Sequence, residues 1–522
     1  MDFFLPNPLE PQAIVDAALR DLPDLVIQKA DRPATVRALT AVLRQSGVLF
    51  ERGNALVKLV KPAESVMPRA MRLSHNNVIV ETHSFCRPVR VGDDGKTVPI
   101  TLPDNVARML LDFGEWGCPP LVGICTAPLL SADGGIRAHR GYDPQTGLFC
   151  ANVPEALLVP ESPTRQQAAA SLMALRDVIK TFPFKDAERR QVSGVWVVDS
   201  SKPAGGAESA LLVLIMTAVC RPSLSLAPGA LITAPQLSGA GSGKGLLVRM
   251  LSEIAFGSQP SALTAGHDRQ ELDKRIVSAL MEADPVLFLD NINGVSLYSD
   301  TLASVMTERS VKVRIMGLSQ NVLLNSSAFV VVTGNGLSVG QDLVRRFIEV
   351  ALDAQCENPE SRKFPQGFLG TIRERRGELL GHALTIWRWG RQSANSIGPG
   401  ITLGSFEEWC SWCRDPLLAL GCADPVAGIQ SAKATDPARL LVVELFNAWW
   451  QHHAGTPMKA SELAEAVQRL LDMQGRGRQY IAARLNKMKG TRASGFMLTY
   501  QPPAGKTGGT YALAQTEALR DE

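Results

Sequence analysis

The chain has 522 residues, too long for one hydrophobic core, so roughly two to four domains are expected. Apolar residues make up 45% and charged residues 20%, which excludes a disordered or fibrous chain and fits a soluble globular one. The 54 Lys and Arg face 51 Asp and Glu, a net charge of +3, so the mean charge excludes a polycationic or acidic chain and leaves local charge to identify partners.

The amino terminus, MDFFLPNPLEPQ, lacks the basic start and apolar run of a signal peptide. The longest apolar stretch, Ala210–Cys220, is shorter than the ~20 residues that span a bilayer and reads as a buried helix. A cytoplasmic protein with no membrane partner is expected. The nine cysteines are scattered; Cys410 and Cys413 have metal-ligand spacing but no second such pair follows, so reduced thiols are expected.

Residues 1–155 read as an N-terminal α+β domain. Helical patterns over Pro11–Leu22 and Pro33–Gln45 precede two hairpin patterns, turning at Gly53-Asn54 and at Asp94-Gly95. Residues 156–225 read as a helical linker or collar, broken at Pro203–Gly206. Residues 226–355 alternate apolar runs with amphipathic stretches, the pattern of a parallel α/β sheet. Residues 356–435 read as a helical lid, and 436–522 as a compact helical unit ending in a β-ribbon over Phe496–Ala514.

The central stretch is LITAPQLSGAGSGKGLLVRML, 231–251. A strand enters a loop of small residues, Ser238 to Gly243, which ends in Lys244 and a helical repeat of Leu247, Met250, Leu251 and Ile254. Small residues let backbone N–H groups curl around phosphate oxygens, and the helix N-terminus adds its dipole. Gly239, Ala240, Gly241, Ser242, Gly243, Lys244, Gly245 and Leu246 are therefore the candidate nucleotide-binding residues, with Lys244 reaching the β- and γ-phosphates. Gly245 stands where such loops carry the serine or threonine that meets Mg²⁺. The run PVLFLDN ends a buried strand in Asp290, the candidate Mg²⁺ ligand, and SAFVVVTGNG ends another in Asn335, placed to orient water. Arg345 and Arg346 follow a short helix just before a strand, where an arginine finger would be presented to a neighbouring subunit.

This order of motifs resembles the AAA+ ATPases, and most of all the helicase-ATPases of the superfamily III and minichromosome-maintenance-like group carried by phages, plasmids and genomic islands. The matching stretches are GYDPQTGL at 141–148, QELDKRI at 270–276, LFLDN at 287–291, TGN at 333–335, DLVRRF at 342–347 and LGSFEEW at 403–409. The resemblance spans roughly residues 115 to 522. It implies a P-loop α/β core, ATP and Mg²⁺ as cofactors, a homo-hexameric ring, translocation on single-stranded DNA in its pore, and replication partners such as a primase or polymerase. It makes Lys244 the Walker A lysine, Asp290 the Walker B acid, Asn335 the sensor-1 residue and Arg345 or Arg346 the finger, with a sensor-2 arginine among Arg373, Arg375 and Arg376. Asn291 departs from the family's usual glutamate; it cannot take a proton, so Asp290 or another carboxylate such as Glu271 or Glu282 would act as the base.

Residues 308–325 have a hairpin pattern in which Val311 and Val313 alternate with Lys312 and Arg314. Related ring helicases place such a hairpin in the pore, which makes Lys312 the leading DNA contact and Arg314 a second, at the pore or at an ATP interface. The C-terminal unit reads as a winged helix. Between Gln474 and Thr510 it carries seven Lys or Arg, among them Arg476, Arg478, Arg484, Lys487, Lys489 and Lys506, and no Asp or Glu, an electrostatic footprint for duplex phosphates. The expected function is an ATP-driven DNA helicase or translocase in replication of a mobile element. The alternatives are a DNA-bound ATPase switch without unwinding, and an antiphage effector ATPase.

Overall fold

The computed structural model describes residues 22–62, 67–154, 157–264, 269–293, 296–314, 321–362, 364–434, 437–502 and 509–516. The helix expected over Pro11–Leu22 falls outside them, apart from its last residue. The described residues form two compact units divided after Val426.

The centre of the larger unit is a five-stranded parallel sheet. Its strands are β1 (Gly229–Ala234), β2 (Ala262–Thr264), β3 (Val286–Asp290), β4 (Phe329–Asn335) and β5 (Phe347–Ala351), in the spatial order β2-β3-β4-β1-β5. Every residue of β1, and all of β4 but its last, is buried, as a parallel sheet covered on both faces requires. Helix α1 (Lys244–Phe256) follows β1 and buries Leu247, Val248, Met250, Leu251 and Ile254. It stops at Gly257, whose φ of +65° closes the cap and whose N–H donates to the carbonyls of Ser252 and Glu253. Helix α2 (Arg269–Met281) links β2 to β3.

The apolar stretch expected to be a buried helix is one: from Ala207 to Cys220 every residue is buried, against α1, β5 and the helix Arg376–Gln392. By length and composition the segment Gly206–Ser223 would cross a membrane, but it is 83% buried inside the protein. Cys413 lies in the same core, its thiol against Cys220 and Thr217 and pushed well up by burial.

Both expected N-terminal hairpins form. Leu49–Arg52 pairs with Ala55–Val60 through Gly53 and Asn54, with φ +55° and +56° as a two-residue turn demands. Arg87–Val91 pairs with Thr97–Pro99. The first hairpin is anchored on the core by the buried Arg52, which donates to the carbonyls of Leu280, Met281, Leu121 and Val122.

One expectation fails. Residues 156–225 are not helical throughout: between helices Arg165–Ile179 and Gly206–Cys220 stands a hairpin, Arg189–Val192 with Val195–Val198. Its turn is Ser193-Gly194, both at positive φ.

The smaller unit has helices Pro437–His453, Glu465–Leu471 and Arg478–Lys487, then an antiparallel sheet of Arg492–Ala493, Phe496–Gln501 and Thr510–Gln515. Leu445, Phe446, Trp449, Val467, Leu471, Ile481, Leu485, Leu498 and Leu513 form its core. Its second helix is shorter than its sequence pattern, because Lys459 to Glu462 close a turn of their own.

Candidate active site

The residues singled out in the sequence converge at the carboxyl edge of the sheet. Strand β1 lies between β4 and β5, so the chain must cross it to pass from one to the other. Such a switch in strand order opens a crevice at the strands' carboxyl ends. There β1 releases the loop 235–243, and α1 begins at Lys244.

The loop is shaped for close approach. A Cβ on Gly239 would sit 2.2 Å from the Pro235 carbonyl and 2.7 Å from Asn335 Oδ1. Gly243 has φ +97°, and a Cβ there would strike the Phe364 ring. The Ser242 hydroxyl donates to the Gly239 carbonyl at 2.9 Å, tightening the turn. Ala240 and Gly241 are exposed, and Leu246 is half-buried behind the loop.

Lys244 is 9% exposed, although a loop lysine would ordinarily be solvated. Its ammonium donates to the Gly239 carbonyl at 2.9 Å, to Ser242 Oγ at 3.3 Å and to Asn335 Oδ1. Burial lowers its pKa and the charge of Asp290 opposes that shift. Lys244, Asn335 and Asp290 thus share one electrostatic neighbourhood at the ends of three adjacent elements.

Asp290 ends β3. Thr333 Oγ1 donates to its Oδ1 at 2.5 Å, and Asn291 Nδ2 reaches Oδ2 at 3.4 Å. Asn291 has φ +58°, a conformation asparagine tolerates, and its backbone N–H returns to Thr333 Oγ1 at 3.2 Å. Asn293 Oδ1 accepts the Asn335 N–H at 2.7 Å, joining the segment after β3 to the end of β4. Thr333 and Asn293 were not singled out in the sequence. Thr333 had a signal: it is a hydroxyl two residues before Asn335, on the same face of β4.

These residues fit a nucleotide triphosphate with Mg²⁺. A Cβ at Gly239, Gly241 or Gly243 would strike neighbouring atoms of the chain, so the loop needs glycine there; the ammonium's present partners are exchangeable polar atoms, and Asp290 Oδ2 has one long hydrogen bond. At Gly245 a Cβ would meet nothing within 4 Å, so there is space for a hydroxyl but none is supplied. The two alternative bases differ in position. Glu282 is at the far end of β3 from Asp290, beside Arg69, and Glu271 pairs with Lys274 and Arg275 on α2.

The two finger candidates differ. Arg345 is exposed, and its side chain makes no hydrogen bond or ion pair among the described residues. Arg346 is half-buried and donates to the Ala303 carbonyl and, at 3.1 Å, to Thr307 Oγ1. Two of the three lid arginines contact the end of α1 far from the loop. Arg373 pairs with the fully buried Glu253 at 2.6 Å, nine residues and so ~13 Å along α1 from Lys244. Arg376 donates to carbonyls at the same end of α1, including Ala255, and to Thr126 and Asn152. Arg375 pairs with Glu378.

The expected hairpin forms, Ser310–Arg314 with Asn321–Asn325; residues 315–320 lie outside the described residues. Val311 and Val313 are buried, and Lys312 and Arg314 are exposed, with Leu323 opposite Lys312. In the smaller unit Arg476, Arg478, Lys487 and Lys489 are exposed. Lys489 Nζ lies 3.3 Å from the Tyr500 ring centroid, and the Arg476 guanidinium 4.7 Å from that of Tyr480. Arg484 is half-buried and donates to the Leu471 carbonyl at 2.6 Å. Lys506 lies outside the described residues.

No protein-family model matches the chain, and no curated protein is significantly similar to it. Solved structures similar to it include the NrS-1 C-terminal region in its apo form, at 13% identity and a TM-score of 0.31, covering 64% of this chain and 84% of that one. JCV helicase is similar at 12% identity and a TM-score of 0.21, covering 54% and 71%. SCCmec type IV Cch, an active helicase, is similar at 11% identity and a TM-score of 0.32, covering 89% and 91%.

Proposed function

We propose that the chain is an AAA+ P-loop ATPase that uses ATP to move along or unwind DNA. The observation that carries this is the meeting of Lys244, Asn335 and Asp290 at the switch point of a parallel sheet ordered β2-β3-β4-β1-β5. ATP would lie on the 239–246 loop with Lys244 exchanging its bonds to Gly239 and Asn335 for phosphate oxygens. Asp290, held by Thr333, would face Mg²⁺, which when bound supplies charge neutralisation at the phosphates. Asn335, once released by Lys244, would orient a water. Arg345, being exposed, is the better finger, which calls for a ring of copies, a hexamer by the resemblance. Lys312 and Arg314 would meet single-stranded DNA. The smaller unit, read as a winged helix, would meet duplex DNA through Arg476, Arg478, Lys487 and Lys489. A role in replicating a mobile element, with a primase or polymerase as partner, rests on the resemblance.

A second reading, a DNA-bound ATPase switch without unwinding, is favoured by Gly245 and Asn291, which supply neither a metal hydroxyl nor a base. The test is Lys244→Ala against the native chain, with ATPase and displacement of a strand from a forked duplex measured together. The helicase reading expects the variant to lose at least ~100-fold in ATPase, the order for one electrostatic transition-state contact. It also expects the native chain to displace the strand. ATPase without displacement selects the switch, and ATPase unchanged by the substitution removes both.

A further inference from the structure

A cavity of about 720 Å³ opens beside β5. One wall is the hairpin Arg189–Val198, the other the segment 354–362. Residues 183–185 hold both in place by running antiparallel to the end of β5: the Lys185 N–H donates to the Ala351 carbonyl at 3.0 Å and the Asp353 N–H to the Pro183 carbonyl at 2.7 Å.

Two guanidiniums face the cavity, each fixed at one end only. Arg189 Nη2 donates to the carbonyls of Phe184 at 2.9 Å and Asp353 at 2.5 Å. Arg362 Nη2 donates to the Thr181 carbonyl at 2.7 Å, and its plane lies over the Phe364 ring. That leaves Arg189 Nε, Arg362 Nη1 and Thr181 Oγ1 buried with no hydrogen-bond partner among the described residues. All three residues line the cavity. No Asp or Glu lines it among the described residues. Asp353 makes no ion pair with Arg189 among the described residues; its carboxylate accepts the Gln355 N–H at 2.8 Å. Burial lowers the pKa of both guanidiniums; the charge of Asp353 opposes the shift of Arg189, and the charge of Arg189 lowers that of Arg362 further. Two cations in a lining with no Asp or Glu among the described residues are matched by an oxyanion, which a guanidinium binds with two parallel hydrogen bonds.

The cavity is not the phosphate loop. The tilted ring pair Phe182 and Phe364, 5.4 Å apart, stands between them, with Phe364 against Gly243. Trp196, 56% exposed, offers an aromatic face at the rim. The volume suits a nucleotide-sized molecule.

We propose that this cavity binds a phosphate-bearing small molecule, its oxyanion on Arg189, Arg362 and Thr181 and its organic part against Trp196. The site stands whether or not the chain hydrolyses ATP.

Cys356 makes the test direct, because it lines the cavity and is the one exposed cysteine of the nine. Its alkylation by the neutral reagent N-ethylmaleimide reports occupancy in the folded full chain. Inorganic pyrophosphate and AMP, tested separately, are expected to protect Cys356 in the native chain and equally in Lys244→Ala. In Arg362→Gln the concentration needed should rise at least ~10-fold, the worth of one charged hydrogen bond. Arg189→Gln should do the same, and Arg362→Lys should fall between. Trp196→Ala should weaken protection by AMP and leave pyrophosphate unchanged; equal effects on both would overturn the placing of the organic part. Protection that survives Arg362→Gln, or that vanishes with Lys244→Ala, overturns the site. Protection by a single-stranded oligonucleotide but by neither small molecule would overturn it too, in favour of a nucleic-acid contact. Thermal midpoints of each variant identify any that fail to fold, and Arg362→Lys then carries the comparison.

Discussion

Thr333 holds Asp290 in place: its hydroxyl donates to Asp290 Oδ1 at 2.5 Å while accepting the Asn291 N–H at 3.2 Å. One buried hydroxyl thereby fixes both the carboxylate and the turn that follows it. Thr333→Val keeps the shape and removes both bonds. Partners of this kind are typically worth ~10–100-fold in metal affinity or activity. ATPase at limiting Mg²⁺ is expected to fall in that range, with partial recovery at high Mg²⁺. Unchanged Mg²⁺ dependence would show that Asp290 needs no such support.

Gly245 leaves open space where a hydroxyl would stand. Gly245→Ser is therefore accommodated, and in a helix it also removes part of glycine's penalty, which is ~1 kcal/mol in a helix interior. The Mg²⁺ concentration giving half-maximal ATPase is expected to fall and the thermal midpoint to rise slightly. A higher Mg²⁺ requirement would mean that the metal sits elsewhere.

Much of this site was legible in the sequence because its parts are local. A glycine loop between a strand and a helix, and polar residues ending apolar strands, identified Lys244, Asp290 and Asn335 without knowledge of the strand order. What distance in the chain brings together was not legible. Phe182, Arg189, Arg362 and Phe364 meet across more than 160 residues, and no period or spacing reports that. The hairpin Arg189–Val198 had a local signal, Ser193-Gly194 between β-forming residues, which the helical patterns on either side masked. The burial of Lys244 is tertiary too, since Asn335 lies 91 residues away.

The exposed Arg345 and the tethered Arg346 predict different defects. Arg345→Ala is expected to keep its thermal midpoint and lose ATPase, and mixing it with Lys244→Ala protein should restore activity above the sum of the two. Arg346→Ala should lower the midpoint, because Ala303 and Thr307 lose their donor. No gain on mixing, at any ratio, would assign Arg345 a role within its own subunit or none.

Asp284, just before β3, has its pKa pushed up to about 6, first by burial and then by the charge of Glu282, with Arg69 opposing. A carboxyl whose folded pKa exceeds its unfolded one favours folding below the unfolded value. That advantage is lost as pH rises from ~4 through 6. Asp284→Asn is thus expected to stabilise the fold at pH 7 by up to ~3 kcal/mol, at ~1.4 kcal/mol per pKa unit, read as a higher thermal midpoint, and to change little at pH 4. Equal midpoint shifts at both pH values would rule out this ionisation as the cause.

In the smaller unit the basic residues divide by what they already hold. Arg484 donates to the Leu471 carbonyl, which ties the third helix to the end of the second. Arg478 and Lys487, on the same helix, are exposed. Each cation that neutralises a duplex phosphate adds ~0.9 to the slope of log K against log salt. Arg478→Ala and Lys487→Ala are each expected to weaken duplex binding and to flatten that slope by about this amount, with thermal midpoints unchanged. Arg484→Ala is expected to do the reverse, lowering the midpoint and leaving the slope nearly as it was. ATPase without DNA should persist in all three, because the phosphate loop, Asp290 and Asn335 belong to the other unit. A salt titration of duplex binding, with calorimetry and ATPase on the same proteins, reads all of these quantities. Slopes unaffected by Arg478→Ala and Lys487→Ala would mean that this face meets protein, and that the grip on DNA belongs to the Lys312 hairpin or the N-terminal region.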